Sequence, residues 1–389
     1  MNIPESLFGS ISTRQFLEEY WQQKPLFVKG AWPDFTSPVS PDDLKDVACR
    51  DDVEARLILE EGGDYPWELR FGPFEPEELD GLGGSHWALL VQHMDRLNPD
   101  VGRMLEAVSF LPNWRLDDIM ISFAPGEGGV GPHIDNYDVF LIQGLGRRRW
   151  QVGLSPVIDE SIVEDLDVRI LANFTPDEEF EVEPGDLLYL PPRYAHHGIA
   201  LGDCMTYSIG CRAPSVQGLV SGFLEHLMDT AGEEHFFSDP RRAPADQPGR
   251  IDSGIVSFAR RALQGALANP DAFRIWLGEH LTEGPEFEDD GSGAVSAEQL
   301  LHLLGTGAQC RPRSATRLAF DRQDDGGIIL FVQGRSLGVP GELLDFVSRL
   351  CRPTGIKAAD LPPSGSTLQK AAIEVLVDLL NEGHLFMVR

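Results

Sequence analysis

The chain has 389 residues, 42% hydrophobic and 24% charged, the balance of an ordinary globular protein and not of a disordered one, and its length predicts about two or three domains. Its 32 basic residues face 62 acidic ones, a net charge of -30 that repels nucleic acid and anionic membranes and would draw in a basic macromolecule. Five scattered cysteines without a C-x-x-C pair imply neither a disulfide framework nor a thiolate zinc site; with no signal-like N-terminus and no long apolar run, a cytoplasmic protein is expected.

In chain order, Ser12 and Gln15 form a capping box ahead of a helix whose apolar face carries Phe16, Leu17, Tyr20 and Trp21, and Lys24-Pro25 ends it. "LFVKG" then reads as a first strand. From about residue 115 to 213 the texture changes to short apolar or alternating runs separated by Gly and Pro: "DDIMISFAP", "GGVGPHIDNYDVFLIQG", "RRRWQVG", "FEVEPGDLLYLPP", "HHGIAL" and "CMTYSIGC". Such spacing predicts a β-sandwich or barrel, not alternating strands and helices.

After Pro214 the period becomes helical. "SVQGLVSGFLEHLMDT" carries Leu219, Phe223, Leu227 and Met228 at helical spacing, and two more helices are broken before Pro270. Their apolar faces fit either packing on the β-domain or pairing with a second copy. Residues 283–296, "EGPEFEDDGSGAVS", read as an acidic linker, and 297–389 as a small α+β or winged-helix-like unit. In that unit "GGIILFVQGRSL" reads as a single strand. There is no internal repeat, P-loop or G-x-G-x-x-G fingerprint.

Chemistry concentrates in "GPHIDNYDVFLIQGLGRRRW". On a strand, His133 and Asp135 project to one face and can chelate one ion, and a second imidazole would complete the facial triad of non-haem Fe(II) oxygenases. "PGDLLYLPPRYAHHGIAL" offers His196 and His197, of which a strand points one inward. Without that partner, His133 reads equally as a core histidine and Asp135 as a turn residue. Of the three arginines, Arg148 faces opposite to Arg147 and Arg149; if it points inward it needs an anion, such as a small dicarboxylate, and otherwise all three pair with surface carboxylates.

Together with "YWQQKPLFVKG" and "TYSIGCRAP", these segments resemble the bacterial JmjC-type ribosomal oxygenases, the YcfD (RoxA) group, along the whole chain. The resemblance implies a double-stranded β-helix (cupin/JmjC jelly roll) over 1–214, a helical dimerisation region over 215–282, and a winged-helix-like C-terminal domain over 297–389 after the linker. It implies Fe(II) held by His133, Asp135 and His196, with 2-oxoglutarate and O2 as cosubstrates. Arg148 would bind the distal carboxylate of 2-oxoglutarate, assisted by Ser122. Asp118 would pair with a substrate guanidinium, Met120 and Tyr137 would flank its stem, and Ser208 would add a hydrogen bond. The implied activity is 3-hydroxylation of an arginine in the sixteenth large-subunit ribosomal protein, by a homodimer. Histidine hydroxylation, lysine demethylation and a non-catalytic metal-binding cupin scaffold are the competing readings. His197 and Ala124 depart from the family's pattern beside the site.

Overall fold

Successive side chains of a strand point to opposite faces of its sheet, and this alternation decides which residue meets which layer. The structure is a computed structural model that describes all residues except 1, 65, 231–235, 245–246, 248, 268, 285–293, 315 and 389. Most of the expected linker therefore lies outside the described residues.

The strands of the first part of the chain are β1 (Leu26–Val28), β2 (Ala55–Leu59), β3 (Glu68–Phe71), β4 (Trp87–Val91), β5 (Leu116–Ala124), β6 (Val139–Leu145), β7 (Arg148–Pro156), β8 (Glu178–Val182), β9 (Leu187–Leu190), β10 (Tyr194–Ala200) and β11 (Cys204–Cys211). Eight of them make one antiparallel sheet in the order β1-β9-β6-β11-β5-β4-β2-β3, and a smaller sheet β10-β7-β8 completes a jelly roll. Register fixes the faces: Ser208 pairs with Met120 and Thr206 with Ser122 between β11 and β5, so their side chains rise together into the space between the sheets. The alternate residues Ile119, Ile121, Phe140, Ile142, Tyr207 and Ile209 are all fully buried on the outer face. There they pack with Leu7, Phe8 and Phe16 from the N-terminal segment. Each such side chain contributes about 1.5–3 kcal/mol on burial, so slipping a strand by one residue would cost several of these at once.

The N-terminal helix covers only Thr13–Glu19, capped by the Ser12 hydroxyl, which accepts from the Gln15 N–H. Phe16 faces the core as expected, but Leu17 is exposed. Adjacent residues of a helix point about 100° apart, so with Phe16 aimed at the sheet Leu17 lies on the flank. Its end is tied to the barrel by a buried network: Asp138 accepts from Tyr189 Oη at 2.6 Å, Gln22 Nε2 at 2.9 Å and Arg115 Nη2 at 2.8 Å. The "PGD" turn also behaves as its sequence suggests. Gly185 sits at φ +90°, where a Cβ would meet the Trp32 carbonyl oxygen at 2.4 Å, and Asp186 accepts from the Gly30 and Glu183 N–H groups.

Helices Val216–Thr230, Ser253–Ala266 and Pro270–Thr282 follow, the last capped by Asn269 just before Pro270. Phe223 packs on Phe273 and Trp276, whereas Met228, expected on the same apolar face, is 78% exposed. The C-terminal unit has its own core around Leu330, Val347 and Leu376, built from β12 (Gln309–Pro312), β13 (Leu318–Arg322), β14 (Ile328–Val332), β15 (Arg335–Val339), β16 (Leu385–Val388) and helices Ala297–Gly305, Leu344–Leu350 and Thr367–Asn381. Where "GGIILFVQGRSL" reads as one strand there is a hairpin. Gln333 and Gly334 both take positive φ, a two-residue turn hidden inside an apolar run. Among the described residues no helix is long and apolar enough to cross a membrane. All five cysteines are free.

Candidate metal centre

His196 is carried inward by β10, where it pairs with Val152 of β7, while His197 alternates to the opposite side and is half-buried. The H-x-D segment is not the strand its sequence suggests. Gly131 takes φ +76° and packs so tightly that a Cβ would lie 2.3 Å from Ile170 Cδ1, and the chain after it is irregular. His133 is held by one isolated bridge to His196, in which each backbone N–H donates to the other's carbonyl at 3.0 Å. The Asp135 carbonyl accepts from the Arg193 N–H at 2.7 Å. Anchoring to the β10 segment, not strand alternation, therefore aligns the two side chains.

The result is compact. Ligating atoms of His133, Asp135 and His196 all lie within 4.8 Å of one another, with His196 Nε2 at 3.6 Å from Asp135 Oδ2. The Nδ1 atoms face backbone carbonyls, that of His133 toward Gly131 at 2.9 Å and that of His196 toward Tyr194 at 3.0 Å. Each ring thus spends Nδ1–H on the backbone and presents Nε2 as a lone pair. Burial, reinforced by His133, pushes the His196 imidazole down to about 4, so it is neutral, the form a metal requires, across the physiological range. Two imidazoles and a carboxylate on one side of an ion leave adjacent positions for other ligands, a set suited to Fe(II).

Behind the triad, Arg148 is 4% exposed at the start of β7. Its Nη2 is buried without a hydrogen-bond partner, its Nε reaches Cys204 Sγ at 3.5 Å, and no carboxylate of the described residues pairs with it. A guanidinium taken out of water without an anion is costly, so the site is built for an anionic ligand. Arg147 and Arg149 remain partly exposed and lie near Glu181 and Glu179, as the alternation predicts. Trp150, two residues beyond Arg148 on the same face, lies 5.8 Å from the His196 ring and 5.5 Å from the Arg148 guanidinium. It walls the passage between them.

The triad, Arg148 and Trp150 line one cavity of about 640 Å³, which also takes in Ser122, Asp118, Met120, Tyr137 and Ser208. The nine residues that the resemblance implies for metal, cosubstrate and substrate are therefore brought to one place, whereas His197, Arg147 and Arg149 are not part of it. Ser122 is buried next to Thr206, whose hydroxyl donates to Gln143 Oε1 at 3.0 Å. At the outer end Asp118 Oδ2 accepts from the His93 N–H at 3.0 Å, and carboxylates of Glu54, Asp117 and Asp167 line the same mouth. His93, Asp95 and Asp118 form a second close group, their ligating atoms within 4.8 Å of one another. The sequence reading missed the wall from the other edge of the sheet: Arg56, Ile58, Leu69, Leu90 and His93. Trp150 was within reach, since it follows Arg148 at strand spacing.

The JmjC domain model matches residues 103–219. The chain is 37% identical over 268 residues to the ribosomal protein uL16 3-hydroxylase of Escherichia coli, covering 69% of this chain and 70% of that one. It is 31% identical to a probable ribosomal oxygenase of Haemophilus influenzae, covering 88% and 83%. The solved structure of YcfD, a ribosomal oxygenase from Escherichia coli, in complex with cobalt and 2-oxoglutarate superposes with a TM-score of 0.81 at 30% identity, covering 98% of this chain and 99% of that one.

Proposed function

The chain belongs to the JmjC-type ribosomal oxygenases, and from that premise we propose that it is an Fe(II)- and 2-oxoglutarate-dependent dioxygenase that hydroxylates C3 of an arginine in the large-subunit ribosomal protein uL16. The observation that carries this reading is the grouping along one cavity of a buried arginine with no carboxylate partner among the described residues, a His-Asp-His triad and the Asp118 carboxylate. Incubating the protein with Fe(II), 2-oxoglutarate and uL16 tests it, with succinate formation coupled to a 16 Da gain on arginine as the expected result.

His133, Asp135 and His196 would hold the iron, which supplies oxidative decarboxylation of 2-oxoglutarate and oxygen insertion into a C–H bond. Arg148 would take the distal carboxylate of 2-oxoglutarate in a charge-assisted pair, with Ser122 adding a hydroxyl, so that the keto-acid end is directed at the metal. Asp118 would receive the guanidinium, Met120 and Tyr137 would confine the aliphatic stem, and Ser208 would offer a further hydrogen bond. Fixing both ends of the side chain converts an encounter into one reactive orientation. The Asp118 carboxylate favours a guanidinium over a neutral imidazole, which places arginine ahead of histidine as the target. The net charge of -30 supports recruitment of a basic ribosomal protein, and with it residence in the cytoplasm.

Residues 215–282 are read as a dimerisation region. Val216, Val220, Leu224 and Met228, four residues apart on one helix, are 46% to 78% exposed, a stripe suited to a second copy. Sedimentation should give a dimer, about twice 43.0 kDa, for the native chain and a monomer for Val220→Glu/Leu224→Glu. A native monomer contradicts this reading.

A further inference from the structure

Asp118 does not stand alone at the cavity mouth. His93, at the start of the short helix Met94–Leu97, has left-handed backbone (φ 57°, ψ 31°), which is uncommon for a residue with a Cβ. That conformation turns both its N–H and its ring toward Asp118: the N–H donates to Oδ2 at 3.0 Å, and Nδ1 lies 3.0 Å from the same oxygen. Oδ1 of Asp118 accepts no hydrogen bond from the described residues and belongs to a side chain that lines the cavity. Behind His93 is Asp95, 2% exposed, whose Oδ1 accepts from the Ile119 N–H at 3.0 Å and whose Oδ2 has no partner. The ligating atoms of all three side chains fall within 4.8 Å of one another.

We propose that His93 is a positioning residue for the substrate arginine: it grips Asp118 by Oδ2, leaving Oδ1 to the guanidinium, while Asp95 balances the charge of the ring. The Asp118 carboxylate, 3.0 Å from Nδ1, raises the affinity of His93 for its proton, burial and Arg96 oppose it, and Asp95 adds to it. Burial pushes Asp95 up to about 6, which still leaves it mostly ionised at pH 7. The proposal rests on the reading of Asp118 as the substrate's partner.

The test uses the full chain with Fe(II), 2-oxoglutarate and intact uL16. His93→Gly keeps the positive φ and the backbone donor and removes only the ring; His93→Asn tolerates the same backbone and restores an amide donor near the Nδ1 position. The expected result is a KM for uL16 raised about tenfold by His93→Gly, with kcat and the KM for 2-oxoglutarate within about twofold of native, and recovery to within about threefold by His93→Asn. An unchanged KM in His93→Gly, or equal impairment of both variants, overturns the proposal. Asp118→Asn separates the two levels. If it raises the KM and His93→Gly does not, only the positioning role fails; if Asp118→Asn leaves the KM unchanged, the reading of Asp118 fails and takes this proposal with it.

Discussion

Replacing Arg148 with methionine is expected to raise the 2-oxoglutarate concentration for half-maximal succinate formation by about 100-fold or more, while leaving the ligand-free protein at least as stable as the native one. The two effects have one cause. Arg148 is buried and its Nη2 is unpartnered, so in the absence of an anion its charge is desolvated without return. An apolar side chain of similar length removes that cost, and large-scale destabilisation would mean that the guanidinium already has a partner within the fold. With a dicarboxylate present the sign reverses: a charge-assisted pair in a dry pocket is worth about 3–5 kcal/mol when one member is truncated, which corresponds to the loss of affinity given above. Thermal unfolding with and without 2-oxoglutarate reports both. The native protein should gain stability with ligand concentration and Arg148→Met should not. Equal ligand protection in the two proteins would remove Arg148 from the site.

Asp135→Ala is expected to reduce succinate formation and substrate hydroxylation by about 1000-fold or more with little change in fold stability. Removing an outer partner of a metal ligand typically costs about 10–100-fold, and removing one of three ligands should exceed that. The fold should survive because the Asp135 side chain is partly exposed and its structural contribution is a backbone carbonyl, which alanine retains. His197→Ala supplies the internal comparison. His197 alternates away from the triad on β10, so its removal should leave activity within a few-fold, whereas His196→Ala should match the loss in Asp135→Ala. Inactivation by His197→Ala with retained activity in His196→Ala would exchange the two assignments.

How much of this site is legible in the sequence depends on whether a local period carries the information. Arg148 and its outward neighbours are legible because a strand's alternation holds from Arg148 through Trp150. His133 and Asp135 are legible as a pair but not in their true setting, since spacing alone does not distinguish a strand from an irregular segment pinned to β10 from outside. The opposite wall is not legible. Arg56 and Ile58 sit on β2, a short strand whose membership of the sheet is fixed by pairing with β3 and β4, contacts with no signature in five residues. His93 carries no local signal at all; its role follows from a left-handed backbone and from Asp118, 25 positions away in the chain. The hairpin at Gln333-Gly334 was masked for a related reason: the apolar residues on both sides run together, and Gln is not a usual turn former.

The central claim is that the cavity joins a triad for iron, an anchor for 2-oxoglutarate and a carboxylate for a substrate guanidinium. The measurement that tests it most directly is peptide mapping of uL16 after incubation with the protein, Fe(II) and 2-oxoglutarate. The account predicts a 16 Da increase localised to one arginine, absent without 2-oxoglutarate and absent with Asp135→Ala. The same increase on histidine alone, loss of methyl groups from lysine, or an arginine shift that persists with Asp135→Ala would contradict it.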